Sequence, residues 1–416
     1  MNVSYWISRR LRLGRGGDGS PVAIGIAIAG IAIALIVMEF TLAVVVGFKD
    51  GIRDKLMGFD AQVTIGVPIS DDESLRHYLR YSTELDSVIH EVVPADCEIR
   101  QALRQPGMLK TDDNFQGVIY IGQRADADLT FERENIVEGS WPDYGDVANE
   151  NVIVMSKQLA SALGLGLGDK VYSTFIVDEA IKMRRHTIGA LYQSNFGEYD
   201  NTVVYASLRG LQRVAGIGEN EVNRIDIRGI SLDEISDISH QLQQQLVFSA
   251  ATGALGEYYP VDNILRSGAL YFNWLALLDT NVVVIFILML AVAGFTLVSS
   301  LFILILERLP MIGILRTIGA GKPLIKQIFV DLGTKVALRG MIIGNIAGLG
   351  LLLLQKYTHI IKLDPAMYYL ASVPVDINPV AIIAVNLGVA LAIFLILLIP
   401  ASVAAAADPS KTIYRE

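Results

Sequence analysis

Residues 307–320 read ERLPMIGILRTIGA, and they follow directly on VVVIFILMLAVAGFTLVSSLFILIL at 282–306. The second string carries no charge and exceeds the ~20 residues that cross a hydrocarbon core as a helix. The first is short and basic, with Arg308 and Arg316 against Glu307. An uncharged run of spanning length that ends on basic residues reads as a membrane helix reaching the cytoplasmic face. Three more such runs lie at 21–46, 336–354 and 380–399. Residues 49–279, between the first and second runs, have the composition of a soluble domain. With 52% hydrophobic residues and a mean hydropathy of +0.45, the 416-residue chain is too apolar for a soluble protein, and the excess is confined to the four runs.

Charge sets the orientation. Residues 49–279 hold 35 of the 43 acidic residues and 20 of the 34 basic ones, a net of −15. Arg9, Arg10, Arg12 and Arg15 precede the first run, Arg308, Arg316, Lys322 and Lys326 follow the second, and Lys411 and Arg415 follow the fourth. Basic residues near membrane ends mark the cytoplasmic side. Both termini are therefore expected inside, with 49–279 and the loop 355–379 outside. The net charge of −9 averages an acidic outer domain with basic inner edges, which argues against nucleic acid as a partner. The first run is longer than a signal-peptide core and lacks a small-residue cleavage site after it, so it is expected to stay as an anchor. Cys97 is the one cysteine, and a lone thiol forms no internal disulfide.

The fold class expected is an α-helical membrane protein with four transmembrane helices and a large α+β periplasmic domain, a porter-like α/β module with an inserted β-rich subdomain. Its parts are a cytoplasmic amphipathic helix in 1–20, spans at 21–48, 280–306, 336–354 and 380–400, the outer domain 49–279, a cytoplasmic loop 307–335, an outer loop 355–379 and a tail 401–416. Within the outer domain the module takes 49–130 and 218–279, and the insert 131–217. Val3, Trp6 and Ile7 share a face before the arginines, which reads as an interfacial helix or as a basic leader. Strands are expected at 61–67, 92–103, 118–121, 151–155, 170–177 and 224–228, with a hairpin partner at 183–191. Helices are expected at 72–88, 156–163, 232–246 and 261–278.

Glu39 lies inside the first run. A carboxyl there is costly, so it either lines a gap or makes a helix-packing hydrogen bond. Gly340, Gly344 and Gly348 recur every fourth residue, the small-xxx-small pattern of close helix approach, within one subunit or between two. Asp331, Lys335 and Arg339 share a face at the membrane edge, as a solvated ion-paired row.

Little in the chain points to catalysis. Gly319, Ala320, Gly321 and Lys322 suggest a phosphate loop, but position 316 is Arg where glycine is required and 323 is Pro where Ser or Thr is required. The five histidines (77, 90, 186, 240, 359) have no metal-ligand spacing. Cys97 has no evident histidine partner, and GxSxG is absent. No catalytic or metal residue is assigned, and no cofactor is expected in this chain.

The opening stretch carries more. Pro310 suits a first helical turn. Met311, Ile314, Leu315 and Ile318 fall at i, i+3, i+4 and i+7, and Gly319 ends the pattern. The result is a short amphipathic helix at the inner face, either a groove-filling contact for a cytoplasmic partner or a plain interfacial helix. ERLPMIGILRTIGA closely resembles the cytoplasmic loop of FtsX-like, MacB-type ABC permeases, whose pattern is near E-R-x-x-E-I-G-I-L-R-A-x-G-A. Glu307, Arg308, Ile312, Gly313, Ile314, Leu315, Arg316, Gly319 and Ala320 match. Met311 replaces the usual acidic residue and Thr317 the usual alanine. The order of one span, a large outer domain and three spans is the family's own. YWISRRL at 5–11, NVIVMSKQLASALGLGLGDKV at 151–171 and HTIGALYQSNFGEYDN at 186–201 look most like the lipoprotein-releasing (LolC/LolE-type) permease subunits.

That resemblance implies a dimeric inner-membrane permease, homo- or heteromeric, in a Gram-negative type envelope. It implies that a separate cytoplasmic ATPase dimer binds ATP and Mg and pushes on 307–320. It further implies that a lipoprotein enters from the outer leaflet between the first and second spans and passes to a periplasmic chaperone. Glu39, Phe40, Phe286 and Met289 are then the candidates for the substrate cavity. The hairpin turn with Asp178, Glu179, Lys182 and Arg184 is the candidate chaperone contact. Two other family roles stay open: a MacB-type exporter, and an FtsX-type scaffold that activates a cell-wall hydrolase.

Overall fold

The computed structural model describes residues 20–67, 78–111 and 114–406. The basic segment expected to be amphipathic at 3–13 and the tail from 407 lie outside the described residues, as do residues 72–77 of the helix expected at 72–88. The chain divides into two compact units. One comprises residues up to Asp50, Trp274–Lys362 and the chain from Ser372. The other comprises Gly51–Asn273 and Leu363–Ala371.

Among the described residues, four helices are long and apolar enough to cross a membrane: Ser20–Phe59, Ala269–Glu307, Lys322–Thr358 and Pro379–Ala406. All four exceed the apolar runs that announce them. Hydropathy marks where the solvent is lipid, whereas the helix persists wherever its backbone bonds are kept, so Asp50, Arg53 and Lys55 do not end the first one. The helix expected at 261–278 is divided. Val261–Asn263 is a strand, Ile264–Ser267 a single turn, and the long helix starts at Ala269.

The core of the membrane unit is formed by Ile31, Leu35 and Met38 of the first span, Ala293 and Leu297 of the second, Phe329 and Val336 of the third, and Ile393 and Leu397 of the fourth. The third span lies against the first through its three spaced glycines. A Cβ at Gly340 would meet Ile31 Cβ at 2.9 Å, and one at Gly344 would meet Ala32 O at 3.0 Å. The small-residue row is thus a packing surface within one subunit.

The described residues of the outer unit form twelve strands: β1 Val63–Gly66, β2 Leu79–Arg80, β3 Glu98–Lys110, β4 Phe115–Gln123, β5 Ile136–Gly139, β6 Val152–Ser156, β7 Lys170–Val177, β8 Ala180–Tyr192, β9 Val203–Ser207, β10 Glu221–Val222, β11 Arg224–Arg228 and β12 Val261–Asn263. The order β12–β1–β11–β3 is antiparallel throughout. Helices Thr83–Val92 and Ile235–Ala251 supply Leu85, Ile89, Leu242 and Leu246 to the core they share with β1 and β11. Within the described part of the range expected as one helix, Leu79–Arg80 is a strand and the helix is Thr83–Val92, where Ser82 caps it through Leu85 N at 3.3 Å. β3 begins at 98, not 92, because residues 94–97 form a turn closed by Cys97 N to Pro94 O.

β3 then continues into a second arrangement. Its residues 103–110 pair with β4, and β4 pairs with β9, β9 with β6, β6 with β8, β8 with β7, and β7 back with β3. The six strands close a ring, so the strands of residues 131–217 share β3 and β4 with the flanking sequence and form no sheet of their own. Alternation in β7 shows how the ring is filled. Val171, Ser173, Phe175 and Val177 face inward, and Tyr172 and Ile176 face outward. The β7–β8 turn is two residues, Asp178 and Glu179, both at positive φ, the geometry that matches strand twist in a tight hairpin.

Candidate functional site

The short helix Leu309–Thr317 joins the second and third spans. Arg308 bends the chain at its start, and Pro310 occupies its first turn, where a missing N–H costs nothing. It ends at Gly319, whose φ of +99° favours glycine, while Ala320 N reaches back to Leu315 O at 2.9 Å. Ile312 is buried in the membrane-unit core, with Leu309 packed against it. Gly313 is buried too. Ile314 and Ile318 are 59% and 78% exposed, Glu307 is exposed, and Met311, Leu315 and Arg316 are half-buried. The stripe read from sequence is therefore not the buried face: the helix is anchored in the bundle by Ile312, which lies off that stripe, while Met311 and Leu315 are only half-buried and Ile314 and Ile318 are left exposed.

The four residues expected to line one cavity are not brought together. Phe40 lines an almost wholly apolar cavity of about 430 Å³ with Ile36, Val37, Leu351, Leu354 and Ile361, formed with the third span and not the second. Glu39, the next residue, turns into the bundle and is fully buried. Its Oε1 accepts from Asn386 Nδ2 at 3.1 Å, and Asn386 exchanges amide bonds with Asn345 at 2.7 and 3.0 Å. Oε2 faces Gly348, where a Cβ would lie 2.5 Å away, and has no hydrogen-bond partner. Phe286 and Met289 pack on the bundle core. No sequence spacing links Glu39 to two asparagines three hundred residues on, so only the packed helices reveal the cluster.

On the outer unit, strand register gathers an apolar face. Phe115, Met108, Tyr172, Ile176, Ile181 and Met183 point outward from β4, β3, β7 and β8, each between 42% and 72% exposed. Asp178 and Glu179 form the exposed turn beside it. Lys182 Nζ donates to Val214 O at 2.8 Å, tying the hairpin to the domain, and Arg184 is exposed. A cavity of about 620 Å³ lined by Met108, Thr174, Ile176, Asp178 and Glu179 adjoins the turn. Inside the ring, Tyr120 Oη donates to Ser173 Oγ at 2.6 Å, and His186 Nδ1 lies 2.6 Å from the same oxygen. The trio is buried, so this serine–histidine contact is a core hydrogen bond and reaches no substrate. Among the described residues no group of His, Cys, Asp and Glu is placed to hold a metal.

Two family models cover most of the chain. The MacB-like periplasmic core domain matches residues 24–245, and the FtsX-like permease C-terminal domain matches 283–409. The chain is 24% identical over 406 residues to the lipoprotein-releasing system transmembrane protein LolC of Xylella fastidiosa, covering 94% of this chain and 93% of that one. It is 25% identical over 422 residues to LolC of Neisseria meningitidis, covering 94% of each. Among solved structures, the periplasmic region of MacB from Actinobacillus actinomycetemcomitans aligns with 53% of this chain and 96% of that one, at 12% identity and a TM-score of 0.33.

Proposed function

Because the chain belongs to the family of FtsX-like ABC-transporter permeases with a MacB-like periplasmic core domain, we propose that it extracts lipoproteins from the outer leaflet of the inner membrane and hands them to a periplasmic chaperone. It is a multi-pass inner-membrane protein, and in its family the ATPase is a separate subunit. The observation that carries lipoprotein release is similarity along 94% of the chain, spans and outer domain together, to proteins named for that activity.

In this reading a cytoplasmic ATPase dimer holds ATP and Mg and seats the exposed side of Leu309–Thr317, at Ile314 and Ile318. A second permease subunit, like or unlike, completes the complex. The apolar face around Ile176, Ile181 and Met183, with Asp178, Glu179 and Arg184 at its edge, receives the chaperone. Apolar area with a charged border suits a protein that must accept acyl chains from its partner.

The test is ATP-dependent transfer of a labelled lipoprotein from the reconstituted complex to the soluble chaperone. Transfer well above the ATP-free control is expected. ATP hydrolysis without transfer overturns lipoprotein release. Outward movement of small amphiphiles would then point to export, and activation of a cell-wall hydrolase to a scaffold.

A further inference from the structure

The third span packs on the first through glycines only as far as Gly348. A Cβ at Gly344 would meet Ala32 O at 3.0 Å, and one at Gly348 would lie 3.5 Å from Ile36 Cα. The next position in that row is Leu352, which is fully buried. A leucine holds two helix backbones apart where a glycine lets them touch. The seam therefore widens toward the outer face. There Val37 and Phe40 of the first span and Leu351 and Leu354 of the third enclose the apolar cavity of about 430 Å³. It lies in the outer half of both spans, where the solvent is hydrocarbon and not water.

The outer end of this cavity is roofed. Gln355 is buried, and its Nε2 donates to Val373 O at 3.0 Å and to Ile361 O at 3.3 Å, while its Oε1 accepts from Ile361 N at 3.0 Å. Asp376 N donates to Ala43 O at 3.1 Å, which ties the same loop to the first span. The amide of Gln355 is thus spent on the roof itself, and Ile360 and Ile361 line the space with their side chains. Apolar walls under a satisfied roof stay dry, and walls with no occupant lose their dispersion contacts. At the ~30 Å³ that a water-sized group takes in a liquid, the cavity has room for about 14 methylenes, close to one acyl chain. Leu351 and Leu354 remain 48% and 49% exposed, so it opens sideways, away from the bundle.

The residues beside the roof are cationic. Lys356 directly follows Gln355 and Lys362 directly follows Ile361; both are exposed, and so is Tyr357. Lysine and tyrosine at the end of a span sit at headgroup depth, where an ammonium group attracts lipid phosphate. An uncharged helix of another subunit would fill the apolar space but offer nothing to the two lysines, whereas a phospholipid answers both features.

We propose that the cavity between the first and third spans holds one acyl chain of an anionic phospholipid of the outer leaflet, with its phosphate at Lys356 and Lys362. Such a lipid is a resident of the subunit and not its cargo. Its walls come from the first and third spans, whereas the cargo route implied by the family resemblance lies between the first and second.

The experiment uses the full chain in its ATPase complex, reconstituted in phosphatidylcholine vesicles. A trace of phosphatidylglycerol or of phosphatidylcholine carries a photoreactive acyl chain, and labelled peptides are mapped after irradiation. The phosphatidylglycerol probe should label residues 36–41 and 351–361 at least about fivefold more than the exposed Val380, Ile383 and Leu387 of the fourth span. Val37→Trp, which fills the cavity, should lower that labelling at least about fivefold and leave the fourth span unchanged. Leu354→Phe, a milder filling, should lower it in part, and the ATPase should co-purify with each variant. Lys356→Gln with Lys362→Gln should bring the phosphatidylglycerol probe down to the level of the phosphatidylcholine probe. Labelling no stronger than that of the fourth span, or unmoved by both filling variants, overturns the proposal. Labelling that falls when unlabelled lipoprotein is added in excess gives the cavity to the cargo and overturns the resident lipid. Protection from both probes in the complex, lost when the subunits are separated, makes the cavity an interface between subunits and overturns it as well.

Discussion

At His186 a single proton separates the folded and unfolded chains. Burial first, and then Arg184, push its pKa from 6.5 down to about 4. The unfolded chain takes up a proton near the ordinary value, and the folded chain refuses it until about 4. The stability at stake is therefore intact above the unfolded value and is lost as pH falls from there toward about 4, on the order of 3 kcal/mol in full. The thermal midpoint of the outer unit should fall between pH 7 and pH 5. His186→Gln, which keeps a polar partner for Ser173 without a titrating ring, should show a clearly smaller fall. An equal fall in both proteins would remove His186 as the cause. Glu39 makes a second prediction at this scale. Among the described residues its hydrogen-bond donor is Asn386, so Asn386→Leu strands a fully buried carboxyl and should destabilise the membrane unit by about 1–3 kcal/mol in a detergent melt. Asn386→Gln, which keeps an amide, should lose less. The charged residue itself was visible in sequence as an anomaly within an apolar run. Its partners were not, because hydrogen bonds between helices depend on rotation and register, which a one-dimensional pattern does not hold.

Among the elements, the glycine row and the short inner helix behave as opposite cases. The every-fourth-residue spacing announces a close-packing face, and the third span does turn that face to Ile31, Ala32 and Leu35 of the first. Gly344→Val should push the pair apart and cost about 1–3 kcal/mol by overpacking. Gly350→Ala, on the same helix with nothing within 4 Å of the new Cβ, should be neutral or slightly stabilising. Equal effects from the two would mean that the face is not a tight interface. For Leu309–Thr317 the spacing predicts one apolar stripe, but the fold inserts Ile312 into the bundle and leaves Ile314 and Ile318 exposed. Periodicity identifies a helix face without saying which neighbour covers it. Ile314→Asp with Arg316→Glu should therefore abolish co-purification of the ATPase while the melting temperature stays within a few degrees of wild type. Ile312→Asp should lower that temperature sharply by burying an unpaired charge. Intact ATPase recovery from the double variant would remove this helix as the contact.

For the molecule as a whole, the large divisions were legible because they follow from solvent. Lipid demands long uncharged runs, and an aqueous outer domain does not. The closure of six strands into one ring was not legible, since it depends on β3 changing partners from β11 to β4 and β7 midway along thirteen residues. Strand alternation is the same for an open sheet and a closed one. The two units have separate hydrophobic cores, one of β-strand and helix side chains around Leu103, Phe175 and Ile225, the other of span residues around Leu35 and Leu297. Urea weakens apolar burial against water, and a detergent micelle shields the spans from that change. Trp141 packs against Tyr205 in the outer unit, at 5.1 Å between ring centroids, and reports on that unit once Trp6 and Trp274 are replaced by Phe. In micelles, its fluorescence should change in one cooperative step at moderate urea, while much of the helical circular dichroism from the four long helices survives to higher concentration. Coincident loss of both signals would show the two cores to be one cooperative unit, and would mean that damage to the outer domain is transmitted directly to the membrane spans.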